Sequence, residues 1–152
     1  MHLLPSESIA SILAATDVEE ATEHDLKNFA PLLDPNPRAM KRLVNTYGMQ
    51  RAIATLDGID VGMKQLALWT IIVLRWSRLA EYLEYHPKMV MYIAEPVSAD
   101  EKLLDGIPED LRKLFEDERV SSLVRGREVG ISLDEDVIRD CAYLHASDSS
   151  TR

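Results

Sequence analysis

Hydrophobic positions recur along this chain with helical spacing, and no stretch alternates convincingly with a period of two. The clearest stripe begins at Asn36. At about 100° per residue, Met40, Leu43, Val44 and Tyr47 fall on one side of a helix, and Arg38, Lys41, Arg42 and Asn45 fall on the other. Asn36 suits the N-cap and Pro37 the first helical position, where a missing N–H costs nothing. The pattern predicts a helix with a core face and a basic face. Asp57-Gly58-Ile59-Asp60 and Gly62 mark a turn, and Met63 to Tyr85 reads as one long helix that stops at His86-Pro87. Its apolar run, Leu66 to Leu74, is broken only by Thr70 and predicts a central helix surrounded by others, with Trp69 and Trp76 as core anchors.

The flanking segments are shorter. Ser6 to Ala15 reads as a helix, and Asp17 to Leu33 as an acidic region turning amphipathic around Leu26, Phe29, Leu32 and Leu33. Lys88 to Ala94 reads as a short helix ended by Glu95-Pro96. Gly106-Ile107-Pro108 opens another that reaches about Asp117, and Val120 to Val124 continues helically to Gly126. Ser132 and Glu135 have the spacing of a capping box, which places a final helix through His145. Glu128 to Ile131 is the one place left for a strand. The expected fold is all-α: an irregular bundle of six to eight helices in a single domain over residues 1–146, followed by a Ser-rich frayed tail at 147–152.

Length and composition suit one domain with a real core, since the 152 residues are 46% hydrophobic. Charge then singles out the first helix. The chain carries a net charge of −9, yet residues 36 to 51 hold Arg38, Lys41, Arg42 and Arg51 and no acid. Most amphipathic surface helices have Lys and Arg on a solvated face. A basic island in an acidic chain is better explained by a specific anion or an acidic partner. Unpaired backbone N–H groups and the positive end of the helix dipole beside Arg38 suggest that this end receives an anion such as phosphate. The five acids from Asp17 to Asp25 read as a solvated face.

Other chemistry is thin. The single cysteine, Cys141, excludes an internal disulfide framework and reads as packing. His2, His24, His86 and His145 lack metal-ligand spacing, so no metal site is expected, and no Ser or Cys lies in a nucleophile pattern. No secretory leader is evident at Met1, and no apolar run approaches the roughly twenty residues needed to cross a bilayer. A cytoplasmic protein without membrane insertion is expected. Nucleic acid is an unfavourable partner, because net −9 repels a polyanion and only four cations lie on the basic segment.

The run Asp34-Pro-Asn-Pro-Arg-Ala-Met-Lys-Arg-Leu-Val-Asn45 resembles the Asn-Pro-Arg-x-x-Lys-Arg-x-x-Asn signature in the helical C-terminal part of KAP-family P-loop NTPases. Leu66-Ala-Leu-Trp-Thr-Ile-Ile-Val-Leu-Arg-Trp-Ser-Arg-Leu79 is similar to the following helix of that family, which carries a Leu-rich run and an Arg-Trp-Pro-like element; here Ser77 replaces the proline. The similarity covers residues 31 to about 85. It implies a lid-like helical region in which Arg38 acts as a sensor of the γ-phosphate, with Lys41, Arg42 and Asn45 on the same face and Asn36 and Pro37 capping the helix at the site.

The motor itself has no counterpart. No Gly-x-x-x-x-Gly-Lys-Ser/Thr loop occurs, and no apolar strand ends in an acidic pair for magnesium. The resemblance therefore implies a chain without catalytic residues that does not hydrolyse ATP alone, and binds ATP and magnesium only with a P-loop core in the same polypeptide or in a partner protein. The alternative is a freestanding helical protein-interaction module without nucleotide contact. Self-association to a homo-oligomer through the apolar second half is compatible with either.

Overall fold

A computed structural model describes residues 24–95 and 101–150. The helix read at Ser6 to Ala15 and most of the acidic run lie outside those residues. The described chain folds as an all-α bundle. Its elements are a 3-10 turn (Lys27–Leu32), α1 (Pro37–Asp57), α2 (Met63–Arg75), α3 (Ser77–Tyr85), a second 3-10 turn (Pro87–Met89), α4 (Val90–Ala94), α5 (Glu101–Asp105), α6 (Glu109–Glu116), α7 (Glu118–Arg125) and α8 (Glu135–Ser150). No strand occurs among the described residues, and residues 126–130 are turns rather than the strand entertained for Glu128 to Ile131.

α2 is the axis of the molecule. Leu66 to Ile72 are buried on every side, because α1, α3, α8 and the first 3-10 turn all pack against this helix. An element that is apolar all round has no solvated face to offer, which makes the centre its only stable place. The one polar side chain in the run is satisfied. The Thr70 hydroxyl donates to the Leu66 carbonyl at 2.7 Å and lies 2.8 Å from the Gln50 side-chain amide of α1. α4, α6 and α7 form a second group that joins the first through α3 and the second 3-10 turn, and one continuous hydrophobic core runs through both.

The long helix expected from Met63 to Tyr85 is two helices. At Trp76 the backbone turns to φ −134° and ψ 63°, so α2 ends at Arg75 and α3 starts at Ser77. Arg75 explains where the break falls. Its guanidinium donates to the Leu32 carbonyl at 2.7 Å, pairs with Asp34 at 3.3 Å and lies 4.6 Å over the Trp76 ring. These contacts anchor the end of α2 on the first 3-10 turn. His86 adopts almost the same backbone angles before Pro87, where the proline ring excludes the helical conformation of the preceding residue.

The final helix also starts differently from the expected capping box. The Val137 N–H donates to the Asp134 carboxylate at 2.9 Å, so Asp134 rather than Ser132 is the cap. Ser132 is held in the preceding loop, where its carbonyl accepts from Gln65 and the next N–H, that of Leu133, donates to the Val124 carbonyl. Asp134→Ala should cost about 1 kcal/mol in urea unfolding, while Ser132→Ala should cost close to nothing. The reverse order would restore the Ser132 cap. α8 continues to Ser150, well past His145, since no Gly or Pro interrupts the stretch expected to fray. α5, which the sequence reading passed over, is a five-residue helix with little periodicity to recognise.

Candidate functional site

α1 is built as its sequence requires. Asn36 is extended and its side-chain oxygen accepts the Arg38 N–H at 2.9 Å; Pro37 occupies the first position, and Gly58, with φ 69°, closes the helix in the left-handed conformation. Leu43, Val44 and Tyr47 are buried against α2 and α8, and Met40 is half-buried. Arg38, Lys41, Arg42 and Asn45 are all exposed on the opposite face.

The backbone at this helix start is less available than its sequence suggests. Proline has no N–H, the Arg38 N–H is taken by the Asn36 side chain, and the Ala39 N–H donates to the Asn36 carbonyl at 2.9 Å. An anion meeting α1 is therefore held by side chains, with the helix dipole adding only its field. Arg51 also leaves the basic island. It donates to the Val61 carbonyl at 2.9 Å and fastens the α1–α2 turn.

Arg51 is one of several arginines that hold the fold together. Arg125 donates to the Ala94 carbonyl, Arg75 anchors the first 3-10 turn, and Arg78, Arg112, Arg119 and Arg139 pair with Asp110, Asp105, Asp117 and Glu135. Arg38 and Arg42, with Lys41 between them, have no hydrogen-bond or ion-pair partner among the described residues. Three adjacent cations thus lie on one exposed face with no carboxylate partner among the described residues.

The same face changes character along its length. Continuing the spacing past Asn45 gives Met49, Ala52 and Leu56, all exposed, with Leu56 85% accessible. The outer stripe of α1 is thus cationic in its N-terminal half and apolar in its C-terminal half. Sequence reasoning found the first half and overlooked the second, although the i, i+4, i+7 spacing that continues the stripe was there to be followed.

Two clefts lie elsewhere. One, of about 390 Å³, is lined by Ile107, Glu109, Arg112, Lys113 and Glu116 along α6. The other, of about 430 Å³, lies between the first 3-10 turn and α7, with Pro31, Leu32, Leu33 and Leu123 beside Arg75, Glu118, Arg119 and Ser122. Both arginines of the second cleft are already engaged. Arg119 makes two hydrogen bonds to the Asp117 carboxylate, at 3.2 and 2.9 Å, and Arg75 is bound as described above. No residue of the α1 outer face lines either cleft.

Two groups shift for reasons that lie in the packing around them. The Asp117 carboxyl is held below its ordinary range, first by its hydrogen bonds to the Arg119 guanidinium, and it also accepts the Arg119 N–H as the cap of α7. Its contribution to stability is therefore complete above the ordinary carboxylate range and is lost as pH falls through the lowered value. Asp117→Asn should flatten that part of the acid limb in a pH series of thermal unfolding; an unchanged limb would contradict the pairing. Burial pushes the Cys141 thiol upward, with Asp140 and Glu84 adding to the shift, so this cysteine packs as an unreactive thiol. Among the described residues no cluster of His, Cys, Asp and Glu could hold a metal ion, and no helix is long and apolar enough to cross a membrane.

Compared with known protein families, curated proteins and solved structures, the chain matches none.

Proposed function

We propose that this chain is a lid-like helical module whose working surface is the outer face of α1, with Arg38 reaching the terminal phosphate of a nucleotide held mainly by a P-loop core, in the same polypeptide or in a partner. The observation that carries this reading is the exposure of Arg38, Lys41, Arg42 and Asn45 together, without a described partner for any of the three cations, in a fold that engages most of its other arginines. A guanidinium makes paired hydrogen bonds to phosphate oxygens, so one phosphate more or less changes how firmly the lid is drawn onto the core. The sensing is mechanical: nucleotide state biases the angle between lid and core. The chain itself supplies no phosphate-cradling loop and performs no hydrolysis.

A second reading has its own observation. Met49, Ala52 and Leu56 extend the cationic stripe with exposed apolar surface, which a nucleotide would leave uncovered and an acidic amphipathic partner helix would bury. On this reading the chain is a freestanding protein-interaction module.

The sequence flanking this coding segment separates the two. The lid reading expects a P-loop followed by an acidic strand end, in frame or in a neighbouring coding sequence. Flanks without a P-loop remove a core in the same polypeptide or a neighbouring gene and favour the interaction module. Both readings also require Arg38 to be dispensable for folding. Arg38→Ala should change unfolding free energy by less than about 1 kcal/mol. A loss of several kcal/mol would show that Arg38 is a structural residue instead.

A further inference from the structure

The outer stripe of α1 is cationic at its start and apolar further on, and α8 repeats that order with the opposite charge. Val137, Ile138, Cys141 and Leu144 are buried on the inner side of α8, which leaves Asp136, Arg139, Asp140 and Tyr143 exposed on the other. Arg139 is neutralised within its own helix by Glu135. Asp136 and Asp140 have no hydrogen-bond or ion-pair partner among the described residues, and Tyr143 is 54% accessible. The outer side of α8 is therefore acidic near its start and aromatic beyond it. α1 and α8 are packed neighbours in the chain, yet no ion pair joins Arg38, Lys41 or Arg42 to either of these carboxylates.

We propose that a second copy of this chain covers the α1 outer face with the exposed side of its α8. The spacings of the two stripes agree. Arg42 and Met49 are seven residues apart, as are Asp136 and Tyr143, which is about 10.5 Å along either helix at 1.5 Å per residue. With the two helices running in the same direction, Arg42 beside Asp136 brings Met49 beside Tyr143, a thioether against an aromatic ring. The same register sets the Asn45 amide opposite the turn that holds Asp140. Each copy carries both stripes on neighbouring helices, so a two-fold pair makes the contact twice: α1 of each copy on α8 of the other.

Net charge works against the pair only at a distance. Each copy carries −9, so two copies repel on approach. At physiological ionic strength that repulsion is screened beyond about 8 Å, and the groups in contact decide the outcome. A single exposed ion pair contributes little, so the burial of Met49 and Tyr143 and the repetition of the contact carry much of the association. The inference rests on the second reading above, in which α1 meets protein, and names the partner as this chain itself.

Sedimentation velocity of the full chain at physiological salt tests it, together with two charge-reversed variants. Arg38→Glu with Arg42→Glu makes the α1 stripe acidic, and Asp136→Lys with Asp140→Lys makes the α8 stripe basic. The unaltered chain is expected to dimerise as its concentration rises. Each variant alone is expected to associate at least about tenfold more weakly, since like charges then meet across the contact. An equal mixture of the two variants should recover dimers, because the acidic α1 of one meets the basic α8 of the other on both sides of the pair. An unaltered chain that stays monomeric up to about 1 mM, variants that dimerise as it does, or a mixture no better than its components would each overturn the proposal. Should a double reversal fail to fold by circular dichroism, Arg42→Glu and Asp140→Lys singly carry the same comparison. A monomeric chain leaves the docking reading to the flanking-sequence and Arg38→Ala tests above, and a P-loop in those flanks would remove that reading without altering the masses measured here.

Discussion

Gly126→Ala is expected to destabilise the chain by about 3 kcal/mol or more in urea unfolding, with most of the molecule losing its cooperative transition at 37 °C. Two independent causes act at this position. Gly126 ends α7 with φ 63°, in the left-handed region where a side chain is strained. A Cβ built there would lie 1.5 Å from the Ile131 carbonyl oxygen and 2.5 Å from its carbon, both backbone atoms that no rotamer change can move. The collision reaches further than one turn. The loop that passes over Gly126 carries the Ser132 carbonyl bonded to Gln65 and the Leu133 N–H bonded to Val124, and it delivers Asp134 to the start of α8. Pushing Ile131 away therefore loosens α8 from α1, α2 and α3. Gly58→Ala is the natural control. It has φ 69° but nothing within 4 Å of the added carbon, so it should cost only the conformational strain, about 1 kcal/mol. Equal losses at the two glycines would contradict the steric account.

Trp69→Ala should cost about 3–5 kcal/mol, because it empties the largest side chain on the axis of the bundle. Trp69 is fully buried in α2, in the middle of the run that α1, α3 and α8 enclose. Close-packed neighbours on all sides relax little into the vacated space, and the cavity term adds to the lost transfer energy. Trp69→Phe separates volume from polarity. The indole Nε1 is buried and has no hydrogen-bond partner, so the phenylalanine loses ring volume but also removes an uncompensated donor. Its loss should be clearly smaller than that of alanine, read as the shift in urea midpoint at constant slope. A phenylalanine variant as unstable as the alanine variant would mean that the indole N–H is satisfied in solution.

Much of the fold follows from short-range pattern. α1 was legible because every signal that defines it is local: an Asn cap, a proline at the first turn, a stripe at helical spacing and a terminal Gly-containing turn. α2 was legible because an all-round apolar run has no alternative to burial. The break at Trp76 was not, since no Gly or Pro marks it and its cause is Arg75 engaging Leu32 and Asp34, which are distant in sequence. The cap of α8 moved from Ser132 to Asp134 for the same kind of reason. Gln65 and Val124 claim the loop before the helix can begin.

The candidate surface was legible to a similar depth. Amphipathic spacing placed Arg38, Lys41, Arg42 and Asn45 on one exposed face. Spacing could not assign Arg51, because the Val61 carbonyl that occupies it arrives through the turn at Gly58. Nor did it reveal that the cap of α1 consumes the backbone donors beside Arg38, which shifts any anion contact from backbone to side chains.

On the proposed function, an anion meets this protein on the outer face of α1 through side chains. The most direct measurement is a titration of the isotopically labelled chain with inorganic tripolyphosphate, following the Arg Nε–H signals together with the backbone amides. The account predicts shifts at Arg38 and Arg42 and along the exposed turns around Lys41 and Asn45, lost in an Arg38→Ala, Arg42→Ala double variant, while Arg75 and Arg119 stay in place because Asp34 and Asp117 already hold them. Shifts centred on Arg75 and Arg119 in the cleft beside α7, with α1 unmoved, would contradict it.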